Sequence, residues 1–264
     1  MRAFLDVRTI MAFETDRKPL SSGYDATLGR ADAAPIDAGL RQYMLRVYNY
    51  MASGLLLSGL VAFFVAENDA MRDLFFKVSE TGRMGYTGLG WVAILAPIGL
   101  ILAMSFGAQR MKVTTLQACY WAFVALMGVG LSLILLTYTG ASVTRVFLIT
   151  AVSFGGLSLY GYTTKRDLSG FRTFLVMGLI GLIIASVVGM FVASTMLQFG
   201  ISVVGVLLFA GLTAYDTQSI KNQYLMVRGT SAEGHSAVMG AVALYLDFVN
   251  MFQFLMSLLG QRRE

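Results

Sequence analysis

Fifteen acidic residues are spread along this 264-residue chain, and two of them stand where a carboxylate is expensive. Asp247 lies near the middle of the run from Ala237 to Leu259, AVMGAVALYLDFVNMFQFLMSLL, which is long enough to cross a bilayer at ~20 apolar residues per crossing. A central Asp costs about 2.5–3.5 kcal/mol on insertion scales, so an intramembrane carboxylate is a functional-site candidate that needs a partner. The candidate partner is Asp216, in GLTAYDTQSIK near the end of the preceding apolar run. The other acids fall in the N-terminal segment, the loops or the C-terminal end. Like charges within a few ångströms cannot both ionise cheaply, so such a pair shares one proton and becomes a proton switch near neutral pH. The same oxygens form a hard-ligand site suited to Ca²⁺, with Asp216 and Asp247 as its ligands. The plain structural alternative is a neutral Asp247 bonded to a neighbouring helix.

The helical face around Asp247 supports a site. Gly240, Ala243, Asp247 and Asn250 recur at three- and four-residue steps, with Ser257 a heptad beyond Asn250. That small and polar stripe should face protein or water. Depth works against the pair. Asp247 lies roughly 14–17 Å inside its helix, at 1.5 Å per residue, whereas Asp216 lies about one turn from the end of a span closing near Ile220. Tilt, a bound water or helix irregularity must close the gap. Arg110, in the basic turn Gln109-Arg110-Met111-Lys112, is placed either to hold Asp216 ionised or to anchor topology.

The elements that must carry these residues are membrane helices. Hydrophobic residues make up 56% of the chain and charged residues 13%, and apolar runs of about twenty residues recur, which a soluble core does not need. The chain reads as an all-α integral membrane protein with seven transmembrane helices. The spans are roughly Tyr48 to Ala66, Leu89 to Ala108, Leu116 to Tyr138, Val143 to Thr163, Thr173 to Ala193, Leu197 to Tyr215 (extending toward Ile220) and Ala237 to Leu259. Residues 1–43 read as a flexible cytoplasmic tail, with a short helix starting near Ala38, and residues 44–260 as the transmembrane domain. No signal-peptide pattern is present, since Asp6 and Arg8 interrupt the apolar region, and Met11 is an alternative start. Glu67 to Arg83 reads as a charged loop. Pro97 should kink span two. Gly181, Ala185 and Gly189 form a small-xxx-small stripe expected to pack against a neighbouring helix. One cysteine, Cys119, excludes an internal disulfide framework, and one histidine, His235, excludes a multi-histidine metal site. His235 reads as a solvated loop residue.

Lysine and arginine set the orientation. They crowd the N-terminal segment and the turns after spans two, four and six, but are missing from the turns after spans three and five. The N-terminus is therefore expected in the cytoplasm, and the modest net charge of +5 is a topology signal and not a nucleic-acid footprint. Seven crossings put the C-terminus outside. Arg262 and Arg263 oppose that locally, which leaves open a re-entrant last helix with both ends inside.

The segments AYDTQSIK at 214–221 and LYLDFVNMFQFL at 244–255 resemble the Bax inhibitor-1 family, also called the transmembrane BAX inhibitor motif family. SFGAQRM at 105–111 and SLYGYTTKRDL at 158–168 resemble its bacterial branch. The resemblance spans about residues 40–260. It implies a seven-helix fold with a central C-terminal helix, a location in a bacterial inner membrane, and a pH-sensitive calcium leak gated by an aspartate pair corresponding to Asp216 and Asp247. It also implies a basic residue on helix two as a latch, for which Arg110 is the nearest match. A helix-two carboxylate found in some members has no counterpart, because that span holds no acid. The implied partners are the lipid bilayer, Ca²⁺ and H⁺, with no resident cofactor beyond transient Ca²⁺. An enzyme is not expected. Intramembrane aspartyl proteases share the Tyr215-Asp216 context, but their second aspartate follows Gly-x-Gly, where this chain has Leu244-Tyr245-Leu246-Asp247, and Pro97 is its last proline. A non-conducting regulator that binds other membrane proteins is the remaining class.

The charge-free turns predict the topology directly. Cysteine labelling should find Ser142 and Ser194 outside and Arg110, Arg166 and Lys221 inside. Labelling of a cysteine at Ser142 only from the cytoplasmic side would overturn the seven-span map.

Overall fold

The computed structural model describes residues 22–78, 84–108, 110–192 and 194–263. The chain divides into two compact units, Met1–Gln42 and Tyr43–Glu264. Residues 1–21 of the expected flexible tail lie outside the described residues. Helix α1 runs Ser22–Glu67, so regular structure starts well before Ala38. Ala26, Leu28, Arg30, Ala31, Ala33 and Ala34 are strong helix formers, and their summed propensity outweighs the expectation drawn from Pro35.

Beyond α1 come α2 (Asp69–Phe75), β1 (Phe76–Val78), β2 (Met84–Tyr86), α3 (Gly88–Gly107), α4 (Val113–Thr137), α5 (Gly140–Thr163), a 3₁₀ turn at Ser169–Phe171, α6 (Arg172–Phe191), α7 (Thr195–Val227) and α8 (Ala232–Leu259). Among the described residues seven helices are long and apolar enough to cross a membrane, as expected. Their outer faces carry bare hydrophobic side chains, among them Phe63, Trp91, Ile98, Phe106, Val152, Phe174 and Phe199. Such a belt would be an aggregation liability in water and is the natural surface for lipid.

The expected loop after α1 is instead a small ordered unit. Asn68 caps α2 by accepting from the Met71 N–H at 3.1 Å, and β1 pairs antiparallel with β2, Phe76 opposite Tyr86. Phe76 then packs with Val65, Ala93 and Val129. The interleaved charges hid the alternating apolar residues that make this hairpin.

Helix α8 is the centre of the bundle. Half of its apolar window is buried, against 11–33% for the other spans. Its neighbours include α7, α5 and α4. Tyr245 exchanges a hydrogen bond with Ser58 at 2.6 Å, and Ser58 also donates to the Val124 carbonyl, so one serine ties α8, α1 and α4 together. A second hydroxyl chain, Tyr48–Ser158 at 2.7 Å and Ser158–Thr217 at 2.9 Å, joins α1, α5 and α7.

Both ends of α8 are tied down, at opposite ends of the bundle. At its start, Tyr43 bonds Ser236 at 2.7 Å and His235 Nε2 meets the Met111 carbonyl at 2.7 Å in the α3–α4 turn. His235 is thus a half-buried staple and not a solvated loop residue. The end of α8 meets the α4–α5 turn. Arg262 pairs with Tyr138, Thr139 N–H donates to the Gln261 carbonyl at 2.9 Å, and Arg263 donates through N–H and Nε to Thr137 and Tyr138. Helix α8 is therefore one continuous helix running between opposite ends of the bundle, with no re-entrant turn in it, and the two terminal arginines close a turn.

Helix contacts depend chiefly on glycines other than those expected. Gly181 faces open space, whereas a Cβ on Gly189 would lie 3.3 Å from Ile201 of α7, so the stripe on α6 packs at its Gly189 end and not at Gly181. Close approach occurs at Gly161, where a Cβ would strike the Ala214 carbonyl of α7, and at Gly128, where it would lie 2.6 Å from the Ser58 carbonyl. Periodicity marks small residues but not which helix faces them.

Gly161→Ala and Gly181→Ala form a matched test. Gly161→Ala should destabilise by about 1–3 kcal/mol, because the obstructing atom is backbone and cannot rotate away. Gly181→Ala should be neutral or slightly stabilising. The fraction remaining monodisperse after heating in detergent reads both; equal loss would contradict this packing.

Candidate functional site

Helices α7 and α8 pack along each other over most of their length. Three close approaches set their antiparallel register. A Cβ on Gly240 would meet Ile220 at 3.2 Å, one on Gly205 would meet the Phe254 ring at 2.7 Å, and Ser202 donates to Ser257 at 3.0 Å. In that register Asp247 falls about one turn along from the position facing Asp216, roughly 5 Å of rise, which two carboxymethyl side chains can span. The depth gap expected from the sequence closes because α7 continues to Val227 and does not stop near Ile220. Asp216 is therefore about three turns inside its helix, not one.

The two carboxyl groups line one cavity beside the α7–α8 contact. Asp247 is 4% exposed, and its Oδ2 is buried with no hydrogen-bond partner. Asp216 is half-buried. Both line a cavity of about 580 Å³ between α6, α7 and α8, whose walls are otherwise almost entirely apolar. Asn250 lines it too, but its Nδ2 donates to the Leu246 carbonyl at 2.8 Å, one turn back on its own helix. Gly240 and Ser257 of the expected stripe serve the α7 contact, while Ala243, Asp247 and Asn250 face the cavity.

Arg110 is not brought to the pair. It sits exposed in the α3–α4 turn, its backbone N–H donating to Gly107 at 2.9 Å. The ion pairs among the described residues are Arg46–Glu233, at 3.7 Å, and Arg72–Asp69. Helix α3 packs against α4 and the α2–β2 unit, not along α7.

Sequence reasoning missed the α6 wall, which contributes Leu179, Leu182 and Ser186. Ser186 bonds its own helix at Leu182, and nothing in its spacing marks the cavity. It also missed Gln218 and Lys221, on α7 beyond Asp216. Gln218 bridges the Leu168 N–H and the Arg166 carbonyl, and Lys221 Nζ donates to the Tyr162 carbonyl at 2.8 Å, so the loop after α5 is held by the helix that carries Asp216. In that loop Asp167 accepts from Ser169 N–H and Oγ, which holds its carboxyl below the usual range.

Chemically, the pair can hold a proton or a cation. Among the described residues no group of three or more His, Cys, Asp or Glu converges on a metal-sized point.

Residues 40–264 match the family model described as "Inhibitor of apoptosis-promoting Bax1". A protein of Caulobacter vibrioides is 48% identical over 236 residues, covering 89% of this chain and 94% of that protein. The protein named inner membrane protein YbhL of Escherichia coli is 42% identical over 228 residues, covering 86% and 94%. A protein named as a membrane protein of Streptococcus pyogenes is 32% identical over 225 residues, covering 85% and 95%.

A buried carboxyl oxygen without a partner costs stability, and removing it should return that cost. Asp247→Leu is expected to stabilise the folded protein by about 1–3 kcal/mol, measured as a raised unfolding midpoint in detergent. A clear destabilisation would mean that Asp247 is bonded within the fold and is not an unpartnered group.

Proposed function

The chain belongs to the Bax inhibitor-1 family, and we propose that it acts as a pH-sensitive calcium leak channel gated by protonation of the Asp216–Asp247 pair. One observation carries this reading: a buried Asp247 oxygen without a partner lies beside a second carboxyl group in a cavity between membrane-spanning helices. Ionised and unpaired, such a group is costly, and a proton or a cation relieves the cost. Protonation then biases the α7–α8 pair between a state in which the carboxyls tolerate each other and one in which they repel.

Ca²⁺ is cargo in this account. It takes about six to eight oxygen ligands, and two carboxylates with the Asn250 carbonyl supply fewer, so water must complete the shell. A thin ligand set suits a passing ion better than a stored one. We assign the protein to the bacterial inner membrane, in keeping with the name of the Escherichia coli relative, with its N-terminus cytoplasmic from the lysine and arginine distribution.

Flux of Ca²⁺ from proteoliposomes, followed against pH, tests the proposal. Asp216→Asn and Asp247→Asn should each change the pH dependence. Because they share one proton, the double variant should fall short of two independent effects. Arg110→Gln separates its two roles: an anchor leaves the midpoint unmoved, and a latch on Asp216 moves it to higher pH by about one unit. Flux that titrates unchanged in both Asp variants would make the pair structural. Absence of flux in the parent would leave the non-conducting regulator as the function.

A further inference from the structure

The cavity at the carboxyl pair is shaped for something other than an inorganic ion. A divalent cation needs a tight cage of oxygens, whereas this space is about 580 Å³, within the ~300–1,000 Å³ of small-molecule sites. Apart from Asp216, Asp247, Asn250 and Ser186, every lining side chain is hydrocarbon, aromatic or thioether. An ion alone would leave most of that apolar wall without a partner.

The cavity also has a side entrance. Helix α6 packs on α7 and α7 on α8, but among the described residues α6 does not pack along α8. The space is the resulting crevice, floored by α7. Its α6 wall includes Ile183, Val187 and Met190, which are 56%, 50% and 82% exposed on the outer surface of the bundle. In a bilayer that surface meets lipid, so a ligand reaches the carboxyls from the hydrocarbon phase without crossing the bundle. At the inner end the Asp247 Oδ2 waits without a donor.

We propose that this crevice binds an amphiphilic amine, with its ammonium group between Asp216 and Asp247 and its hydrocarbon part along α6. A protonated primary amine brings three N–H donors and one positive charge to two carboxyls and the Asn250 carbonyl. Its chain covers the apolar wall that a metal ion leaves bare. The proposal rests on the reading of the pair as a cation site, but not on ion conduction. A ligand so placed would fill the crevice between α6 and α8 and compete with Ca²⁺ and H⁺ for the same oxygens.

Dodecylamine, with dodecanol and dodecanoate as uncharged and anionic controls, tests this by calorimetric titration into full-length protein in zwitterionic lipid nanodiscs, with empty discs subtracted. One saturable site for the amine is expected, and none for either control. Asp216→Asn and Asp247→Asn should each weaken amine binding at least about tenfold, as loss of a charge-assisted hydrogen bond does. Val187→Trp, at the exposed mouth and away from the carboxyls, should also weaken it by obstruction. Equal uptake of dodecanol, or amine binding unchanged in both Asp variants, would overturn the proposal. Calcium flux without saturable amine binding defeats this inference alone; amine binding in a protein that passes no Ca²⁺ defeats the leak reading alone.

Discussion

The structure depends on the register of two antiparallel helices. Gly240 against Ile220, Gly205 against Phe254 and Ser202 against Ser257 fix how α7 lies on α8. A slip of one turn along α7 is about 5 Å, enough to separate Asp216 from Asp247 or to drive them together. The rest of the bundle holds that register. Ser58 and Tyr245 hold α8 from one side, Thr217 and Ser158 hold α7 from another, and the staples at His235 and Arg263 hold the two ends of α8. All of these are hydrogen bonds in or near an apolar solvent, where unmade polar groups are expensive and therefore position one another strongly.

Against that satisfied background one polar atom stands out. Among the described residues, Asp247 Oδ2 is the buried side-chain oxygen left without a hydrogen-bond partner. Proteins keep such a defect where stability is traded for function. The cavity beside it explains how the defect is used: it is open to an outer surface between α6 and α8, and is lined by side chains that neither solvate nor neutralise the carboxyls. Proton, metal ion and organic cation are alternative answers to the same unpaired charge.

Much of this was legible in the sequence. Span length and apolarity announced seven crossings, and the cost of a carboxylate in lipid singled out Asp216 and Asp247 among fifteen acids. What stayed hidden was relational. The length of α7 was underestimated because Lys221 and Asn222 read as loop, whereas the helix continues to Val227, with Gln218 and Lys221 bonding the loop after α5 and the last turn of α5. The α6 stripe was legible as small residues, but not that Gly189 meets α7 while Gly181 faces open space. The re-entrant alternative arose from Arg262 and Arg263, whose hydrogen bonds to the α4–α5 turn are visible only in three dimensions. The α6 wall of the cavity could not be found, since greasy residues lining a crevice look the same as greasy residues facing lipid.

The central claim is that Asp216 and Asp247 titrate as one unit. Infrared difference spectroscopy on membranes carrying the protein, stepped through neutral pH, reads carboxyl protonation directly through the C=O stretch of the protonated acid. The account predicts a single titrating carboxyl band that disappears from this pH range in Asp216→Asn and also in Asp247→Asn. A band that survives either substitution unchanged, or no carboxyl change across neutral pH in the parent protein, would contradict it.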